Sequence, residues 1–403
     1  MKSDRREFLK LLTSSLLLPR VSAAAAPIPF RKRQRPRDLG IRIGTLQPGR
    51  WNAITDVPGV RVGYSTVIRG SGAMKVGDGP VRTGVTAVWP HDHIFEEYLP
   101  FGFHILNGNG EVTGLTQAAS LGILAAPLCL TNTSSVGMVY DAMLAQIPQG
   151  DFPQVLPVVG ETWDAFLNDI EGRHVHAEHV LQAMNSAASG PIAEGNVGGG
   201  TGMICYEFKG GVGTASRRLP EPLDRYSVGA LVQANHGIRK FLRIDGVPVG
   251  EEISDLRPEP DEAQYLNSIL IVIATDAPLL NYQLNRIARR GGMGLSKTGS
   301  ISSNSSGDFI LAFSTANRIP REDFWRGKTY PLQSIEQFDI QPLFQSASEA
   351  TEEAIINALF MAETMVGRDG HRVFALPIDR VLRIMERHHR LFRAEKERKI
   401  ASL

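Results

Sequence analysis

The chain has 403 residues, of which 42% are hydrophobic, enough to bury a substantial core. Its 43 basic and 42 acidic residues give a formal charge of +1, which argues against a nucleic-acid or anionic-membrane partner. The 40 glycines cluster in loops rather than repeats, which excludes a collagen-like fibre and favours loops built from backbone groups.

The first 26 residues have the features of a cleavable export signal. Arg5 and Arg6 match a twin-arginine motif, although Asp4 stands where Ser or Thr is usual. An apolar run at 11–18, too short to span a membrane, leads to small residues at 21–26. We predict a signal peptide and periplasmic localisation; the alternative, a basic amphipathic helix, conflicts with three prolines nearby.

Apolar runs separated by turn residues fill the chain as far as residue 160. They predict strands at 84–89, 103–106 and 123–132, a helix opening at 111–119 and a helix at 136–146. The tight turn at 107–110 offers backbone amides for an anion or carboxylate. A turn without a ligand explains the same residues equally well.

The cysteines and histidines do not point to a metal site. Cys129 and Cys205 lie in apolar strand-like runs, so we predict buried free thiols, with a disulfide left open by the compartment. One histidine-rich cluster precedes a predicted helix, and it consists of His174, His176, Glu178 and His179. Its spacing fits no zinc pattern and predicts a solvated helix start instead. The pair His388-His389 is interpreted likewise as part of a charged terminal helix at 379–399.

The glycine-rich segment 195–202 does not have the spacing of a dinucleotide-binding loop. A strand at 204–208 and a turn at 209–211 follow it, where the nucleotide fold requires a helix. We therefore expect a backbone-lined loop that lets chain segments approach closely near position 268.

Ser268 stands before five large aliphatic residues, 269–273, a run typical of a strand buried on both faces. A charged, proline-bearing segment at 255–262 precedes it and indicates an exposed loop. Cleavage of the Asn267–Ser268 bond would give Ser268 an α-amine with a pKa of about 7.7–8.0. Such an amine can accept the hydroxyl proton as a general base. The alternative is an ordinary Asn-Ser turn before a strand.

The last third of the chain continues the alternation of helices and strands. We predict a helix at 281–290 ended by glycines at 291–294, a polar loop at 300–308, a core strand at 309–315 and a helix at 348–364. Ser306 and Asp308 are two residues apart at the strand's edge, so they should project on the same side. The alternative for this pair is a polar turn that caps the strand.

From about residue 37 to residue 380, the chain resembles the DmpA/BapA-type serine aminopeptidases. The resemblance rests on Asn267-Ser268 and its strand, together with the motifs at 194–202, 274–279, 298–300, 306–308 and 313–317. It implies a four-layer αββα sandwich of the N-terminal-nucleophile type, cleaved by the chain itself into fragments 27–267 and 268–403. It further implies a homo-oligomer of these αβ units, with no metal and no organic cofactor.

The resemblance also implies roles for individual residues. Ser268 would be the nucleophile and Asn235 a side-chain donor to the oxyanion, although Asn235 also fits a plain turn. Ser306 and Asp308 would orient the α-amine of Ser268. Glu161 would receive the substrate's amine, or be an ordinary surface carboxylate. Trp163 is expected to line the pocket; a family member has an aromatic hydroxyl there, whereas an indole only donates.

The implied activity is removal of N-terminal L-, D- or β-residues from small peptides, amides or esters through an acyl-enzyme on Ser268. An acyltransferase of the ornithine acetyltransferase type is an alternative. Those enzymes use threonine where this chain has Ser268, and the export signal also argues against that reading. A second alternative is a periplasmic binding or scaffold protein without activity.

Overall fold

The fold is seen in a computed structural model, which describes residues 33–148, 155–260 and 267–392. Within these ranges the strands are β1 (Arg61–Arg69), β2 (Val81–Trp89), β3 (Glu97–Gly108), β4 (Ile123–Leu124), β5 (Leu128–Asn132), β6 (Val158–Thr162), β7 (Ile204–Cys205), β8 (Phe208–Lys209), β9 (Gly211–Arg218), β10 (Ser227–Asn235), β11 (Ser268–Thr275), β12 (Gly307–Ser314), β13 (Ile319–Pro320), β14 (Met365–Val366) and β15 (Arg372–Val373). The α-helices are α1 (Leu115–Leu121), α2 (Val136–Leu144), α3 (Ala177–Asn185), α4 (Val249–Glu252), α5 (Asn281–Lys297), α6 (Arg321–Trp325), α7 (Gln341–Met361) and α8 (Ile378–Arg387).

Two sheets form the centre of the molecule. The smaller one has the order β1-β2-β5-β6, and the larger one has the order β13-β3-β12-β11-β10-β9, with β4 paired to β3. Strand β11 lies inside the larger sheet, antiparallel to β10 and parallel to β12. The strand predicted after Ser268 is therefore confirmed, and it has a hydrogen-bonded neighbour on each side.

Side-chain alternation along β11 shows why its sequence is continuously apolar. Ile269, Ile271 and Ile273 belong to a core that includes buried residues of α5 and α7. Leu270 and Val272 belong to a second core, which also contains residues of the smaller sheet. Both faces are thus covered, so neither face of the strand has solvent-exposed positions for hydrophilic side chains.

The remaining layer lies against the outer face of the smaller sheet. There, buried residues of β2, β5 and β6 share a third core with α2 and α3. The order of layers is α2/α3, smaller sheet, larger sheet, α5/α7, which confirms the predicted four-layer αββα sandwich. Among the described residues, no helix is long and apolar enough to cross a membrane.

Helix α5 does not end where the sequence suggested. The predicted stop at glycines 291–294 is wrong, because the helix continues to Lys297. These glycines permit close packing: an added Cβ at Gly291 would lie 2.8 Å from Ile310 Cγ2, and one at Gly294 would lie 2.4 Å from the Ser348 carbonyl oxygen. Tertiary contact here outweighs the low helix propensity of glycine.

This packing predicts opposite effects for two neighbouring substitutions. Gly294→Ala should lower the free energy of unfolding by about 1–3 kcal/mol, because α5 must move away from the backbone of α7. Gly292→Ala is the matched control, since its Cβ would meet only Leu106 methyl carbons at 3.5 Å and beyond. It should be neutral or stabilise by up to about 1 kcal/mol. Denaturant unfolding of both variants checks this pair, and equal losses would contradict it.

Several other predicted bounds need correction. The strand expected at 123–132 is two strands, β4 and β5, in different sheets. Helix α1 begins only at Leu115, and α7 begins at Gln341, before the predicted start. Helix α8 ends at Arg387; the predicted continuation beyond residue 392 lies outside the described residues, as does the predicted signal segment 1–26.

The predictions for cysteines and histidines have mixed outcomes. Cys129 and Cys205 are buried and free, as predicted. The prediction of a solvated helix start is wrong for His174, which lies before α3, is buried and is 2.8 Å from the Asp169 carboxylate. His176 and His179 do stand at the start of α3, where their rings stack.

Candidate active site

The hydroxyl of Ser268 is buried without a hydrogen-bond partner. Ser268 is the first residue of β11 and is 4% exposed, and its Oγ has no partner among the described residues. Leaving a buried polar group unpaired costs about 1–3 kcal/mol. A hydroxyl kept in this state at the end of a rigid central strand is available to a reacting group.

Asn235 lies directly across from Ser268. The two residues are paired in the antiparallel register of β10 and β11. Leu231 and Leu270 face the core between the sheets; Leu231 is four positions before Asn235 on β10, and Leu270 is two positions after Ser268 on β11. Alternation therefore places both side chains on this face.

The orientation of the Asn235 amide is set by two backbone groups. Its Oδ1 accepts a hydrogen bond from the Ile204 N–H at 2.8 Å, and its Nδ2 donates to the Trp163 carbonyl at 3.0 Å. Because the oxygen is held by an N–H donor, the NH2 end is turned toward acceptors. Asn235 therefore presents a donor on the face that carries the nucleophile candidate.

Ser306 and Asp308 form a second polar group at the neighbouring strand. The Ser306 hydroxyl donates to Asp308 Oδ1 at 2.5 Å, and Ser302 donates to Oδ2, so the predicted proximity of the pair is confirmed. Burial raises the pKa of Asp308, while the two hydroxyl donors oppose that rise. In the parallel register, Gly307 pairs with Ser268 and Asp308 with Ile269.

The carbonyl at the predicted cleavage point has a donor in place. The Gly307 N–H donates to the Asn267 carbonyl oxygen at 3.1 Å. The loop before Gly307 is held by Asn107, whose Nδ2 donates to the carbonyls of Ser303 and Ser306. The Asn267 side chain reaches the same loop, with Nδ2 3.4 Å from Ser303 Oγ.

Glu161 is buried rather than an ordinary surface carboxylate. It lies in β6, accepts a hydrogen bond from the Glu111 N–H at 3.1 Å and another from the Thr133 hydroxyl. Burial raises its pKa, and these donors oppose the rise. An added Cβ on Gly110 would lie 2.8 Å from Glu161 Oε1 and 3.4 Å from Gly307 Cα, which places the carboxylate close to the strand end that carries the Ser268 site.

Trp163 is half-buried beside an apolar cluster, and its backbone carbonyl accepts the hydrogen bond from Asn235 Nδ2. Its indole packs against the cluster that contains Phe166 and Ile204. A role as pocket wall stays a prediction.

The glycine-rich segment has the backbone role that its sequence indicated. An added Cβ on Gly199 would lie 2.1 Å from Gln233 Oε1 and 2.7 Å from the Leu130 carbonyl oxygen, so only glycine fits between the sheets there. The next element is the two-residue strand β7, which agrees with the rejection of a dinucleotide fold.

Sequence reasoning missed several residues of this region. Ser302 was one of five serines in the loop 300–306, and nothing local distinguished it as a second donor to Asp308 beside Ser306. Thr133 contributes a hydroxyl to Glu161, and Ile204 contributes a backbone N–H to Asn235. No sequence motif marks either residue. Lys209 was assigned to a turn, but it lies in β8 and is fully buried. A lysine beside apolar strand residues was the available signal.

The arrangement of fold and site defines a class of protein. A four-layer sandwich with a buried, unpartnered serine hydroxyl at the start of a central strand is the organisation of the N-terminal-nucleophile hydrolases. The chain belongs to Peptidase family S58, whose model matches residues 52–373. It is accordingly a peptidase.

Proteins similar to this chain agree with this assignment. The chain is 46% identical over 371 residues to the β-peptidyl aminopeptidase BapA of Sphingosinicella xenopeptidilytica, covering 87% of this chain and 91% of that one. The solved Burkholderia sp. β-aminopeptidase superposes with a TM-score of 0.80 at 46% identity, covering 88% and 99% of the two chains. The L-aminopeptidase D-Ala-esterase/amidase of Ochrobactrum anthropi, described as a variant of the Ntn hydrolase fold, gives a TM-score of 0.81 at 40% identity over 89% and 99%.

Proposed function

We propose that the protein is a self-processing serine aminopeptidase that removes N-terminal residues from small peptides, amides or esters. The observation that carries the proposal is the unpartnered Ser268 hydroxyl, placed beside Asn235 at the start of a buried strand in a family S58 chain. The similar proteins described as β-peptidyl and L-amino-acid aminopeptidases support this reading.

Self-cleavage would begin with attack of Ser268 Oγ on the Asn267 carbonyl carbon. The C–N bond of the peptide breaks as the new C–O ester forms, and the hydroxyl proton passes to the departing Ser268 nitrogen. Water then hydrolyses the ester, giving a carboxyl group on Asn267 and a free α-amine on Ser268. The Gly307 N–H already bonded to the Asn267 carbonyl would stabilise the oxyanion.

Contacts between the two fragments support the idea that they remain together. Strands β11 and β12, from the second fragment, lie between β10 and β3 from the first. Glu353 of α7 accepts from both Arg37 and Arg217 of the first fragment, each at 2.6 Å. A cut at residue 267 would therefore leave the shared sheet and these buried ion pairs in place.

In turnover, the Ser268 hydroxyl would attack the carbonyl of the substrate's N-terminal residue while the Ser268 α-amine takes its proton. Asn235 and backbone amides would stabilise the oxyanion. Ser306 and Asp308 would hold the α-amine, which then returns the proton to the leaving amine. Water hydrolyses the acyl-enzyme and restores the Ser268 hydroxyl.

Glu161 would recognise the substrate's ammonium group. A carboxylate has about four acceptor positions, and the two donors at Glu161 leave acceptor capacity. Its burial and its nearness to Gly307 favour a bound cation over a solvated surface role. This recognition would explain why only residues with a free amine are removed.

Glu161→Gln should raise KM by about 10- to 100-fold, because a hydrogen bond between two charges becomes one to a neutral amide. In the unmodified enzyme, KM should rise as pH falls through the raised pKa of Glu161, since protonation removes the same charge. KM measured against pH in both proteins checks this. Glu171→Gln, at an exposed carboxylate, is the control and should leave KM unchanged. If the ratio of KM in Glu161→Gln to KM in the unmodified enzyme did not change with pH, the assignment would be contradicted.

We further propose export to the periplasm with removal of residues 1–26, and assembly of the αβ units into a homo-oligomer. The sequence features of the amino terminus support the first proposal. Amino-terminal sequencing of periplasmic protein and the mass of the native particle test the two proposals separately.

Intact-mass measurement of purified protein, followed by hydrolysis of a panel of L-, D- and β-amino-acid amides, tests the proposed function. We expect two polypeptides, one beginning at Ser268, and amide hydrolysis without an acyl donor. A full-length polypeptide that hydrolyses the amides would refute self-processing. Two fragments that react only with an acyl donor would identify an acyltransferase, and an inert single chain a binding protein.

A further inference from the structure

Lys209 is a fully buried lysine whose ammonium group is held by backbone carbonyls. Its side chain has no exposed surface, and none of the ion pairs among the described residues includes it. Its Nζ donates to the carbonyl oxygens of Met203 at 2.8 Å, Gly210 at 3.0 Å and Gly200 at 3.3 Å. A buried cation with no carboxylate in direct contact among the described residues is costly, so its presence calls for a reason beyond packing.

One of these carbonyls connects Lys209 to Asn235. The Met203 carbonyl and the Ile204 N–H are the two ends of a single peptide group. That N–H donates to Asn235 Oδ1 at 2.8 Å. A hydrogen-bonded chain thus runs from Lys209 Nζ through the 203–204 peptide group to the Asn235 amide. We refer to it as the Lys209 relay.

Charge at one end of such a chain affects the donor at the other end. Bonds in series polarise one another in a buried environment. An ammonium on the Met203 oxygen makes the Ile204 N–H a stronger donor to Asn235 Oδ1. Withdrawal of electron density from that oxygen makes the Asn235 NH2 group a stronger donor in turn, and it fixes which way the amide faces.

We propose that Lys209 is a positioning residue of the Ser268 site, whose ammonium group orients and polarises the Asn235 amide through the 203–204 peptide group. This rests on the proposed role of Asn235 as an oxyanion donor. The Lys209 ammonium bonds backbone carbonyls and would act only through Asn235, so its effect should fall on kcat rather than on KM, because the oxyanion forms only in the transition state.

The groups around Lys209 determine how the effect depends on pH. Burial lowers the pKa of Lys209 to about 7, so the amine is charged below that pH and neutral above it. Cys205 and Asp164 act on it, and burial keeps the first a thiol and raises the pKa of the second to about 7. His236, 3.9 Å from the Cys205 sulfur, is neutral because burial lowers its pKa to about 3. We therefore expect Lys209 to cause a decline of kcat on the alkaline side of the profile, beyond the rise that deprotonation of the Ser268 α-amine causes.

Three variants of the processed enzyme test the relay. Lys209→Met should lower kcat about tenfold, part of the about 10²–10³ lost when an oxyanion donor is removed, with KM nearly unchanged and the alkaline decline of kcat abolished. Lys209→Arg should keep most of the activity and also lose the alkaline decline, because arginine stays charged. Lys75→Met, the same change at a side chain with 79% exposure, is the control and should match the unmodified enzyme.

A double substitution separates this proposal from the proposed function. In an Asn235→Ala background, Lys209→Met should have no further effect on kcat, since coupled residues are not additive. Full additivity, or a folded Lys209→Met enzyme with unchanged kcat and pH profile, overturns the relay. Unchanged kcat in Asn235→Ala alone refutes the oxyanion role of Asn235 instead. If neither Lys209 variant folds, the pH profile of the unmodified enzyme decides: kcat should rise as the Ser268 α-amine loses its proton, so a rise to a plateau that stays level to about pH 9 overturns the relay, and a decline after a maximum supports it.

Discussion

Replacing Ser268 by alanine is expected to leave a single uncut polypeptide and to lower kcat/KM by about 10⁴-fold or more, as loss of a nucleophile does in serine hydrolases. The substitution removes the atom that attacks Asn267 and, with it, the origin of the free α-amine. Nucleophile and base are lost together, so residual turnover should be near background. Intact mass and amide hydrolysis are the two measurements.

The fold should survive this change, because the hydroxyl of Ser268 has no hydrogen-bond partner to lose within the described ranges. Ser346→Ala is the matched control: Ser346 is also buried, and its hydroxyl also lacks a partner in the part of the chain that the structure describes, but it lies in α7. That variant should be cut and fully active. An uncut Ser346→Ala chain, or an active Ser268→Ala enzyme, would be incompatible with Ser268 as nucleophile.

Asn235→Ala is expected to lower kcat by about 10²–10³, the usual effect of removing one oxyanion donor. KM should change little, since the oxyanion exists only in the transition state. Self-cleavage should slow as well, because Asn235 lies across from Ser268 in the same register. A time course of fragment appearance and steady-state kinetics of the processed enzyme measure the two effects.

Asn235→Ala also leaves the buried Ile204 N–H without its acceptor, at a cost of about 1–3 kcal/mol in the free energy of unfolding. Asn235→Asp keeps that acceptor but removes the NH2 group and its bond to the Trp163 carbonyl, so it should recover only part of the stability and none of kcat. Asn357→Ala is the control: this buried asparagine of α7 bonds the Thr214 carbonyl, and its loss should affect stability only. Recovery of kcat in Asn235→Asp would argue against a donor role.

The sequence was most informative where local composition and tertiary environment agree. The aliphatic run 269–273 predicted a strand buried on both faces, and β11 is one because helices cover one side and the smaller sheet the other. The glycines of 195–202 predicted close backbone approach for the same reason: only a residue without Cβ fits there. In both cases the size and polarity of the residues indicate how closely their surroundings are packed.

The sequence misled where the same residue type serves two purposes. Glycines 291–294 were expected to end a helix, since an isolated helix loses stability at glycine. In α5 they instead let the helix approach the sheet and α7. Lys209 was similarly assigned to a turn, yet it is fully buried, which lysine almost never is unless it is paired. Three backbone carbonyls, brought together by folding, provide the partners.

By itself, the sequence determined which strand is central, that Ser268 begins it, and that the chain has the layered α/β organisation of its family. These properties are local, because burial on both faces requires an unbroken apolar run. Only the tertiary structure decided that Asn235 faces Ser268, that Ser302 joins Ser306 at Asp308, and that Lys209 reaches the peptide group behind Asn235. Strand pairing brings together residues distant in the chain, and packing of the whole sandwich sets the register.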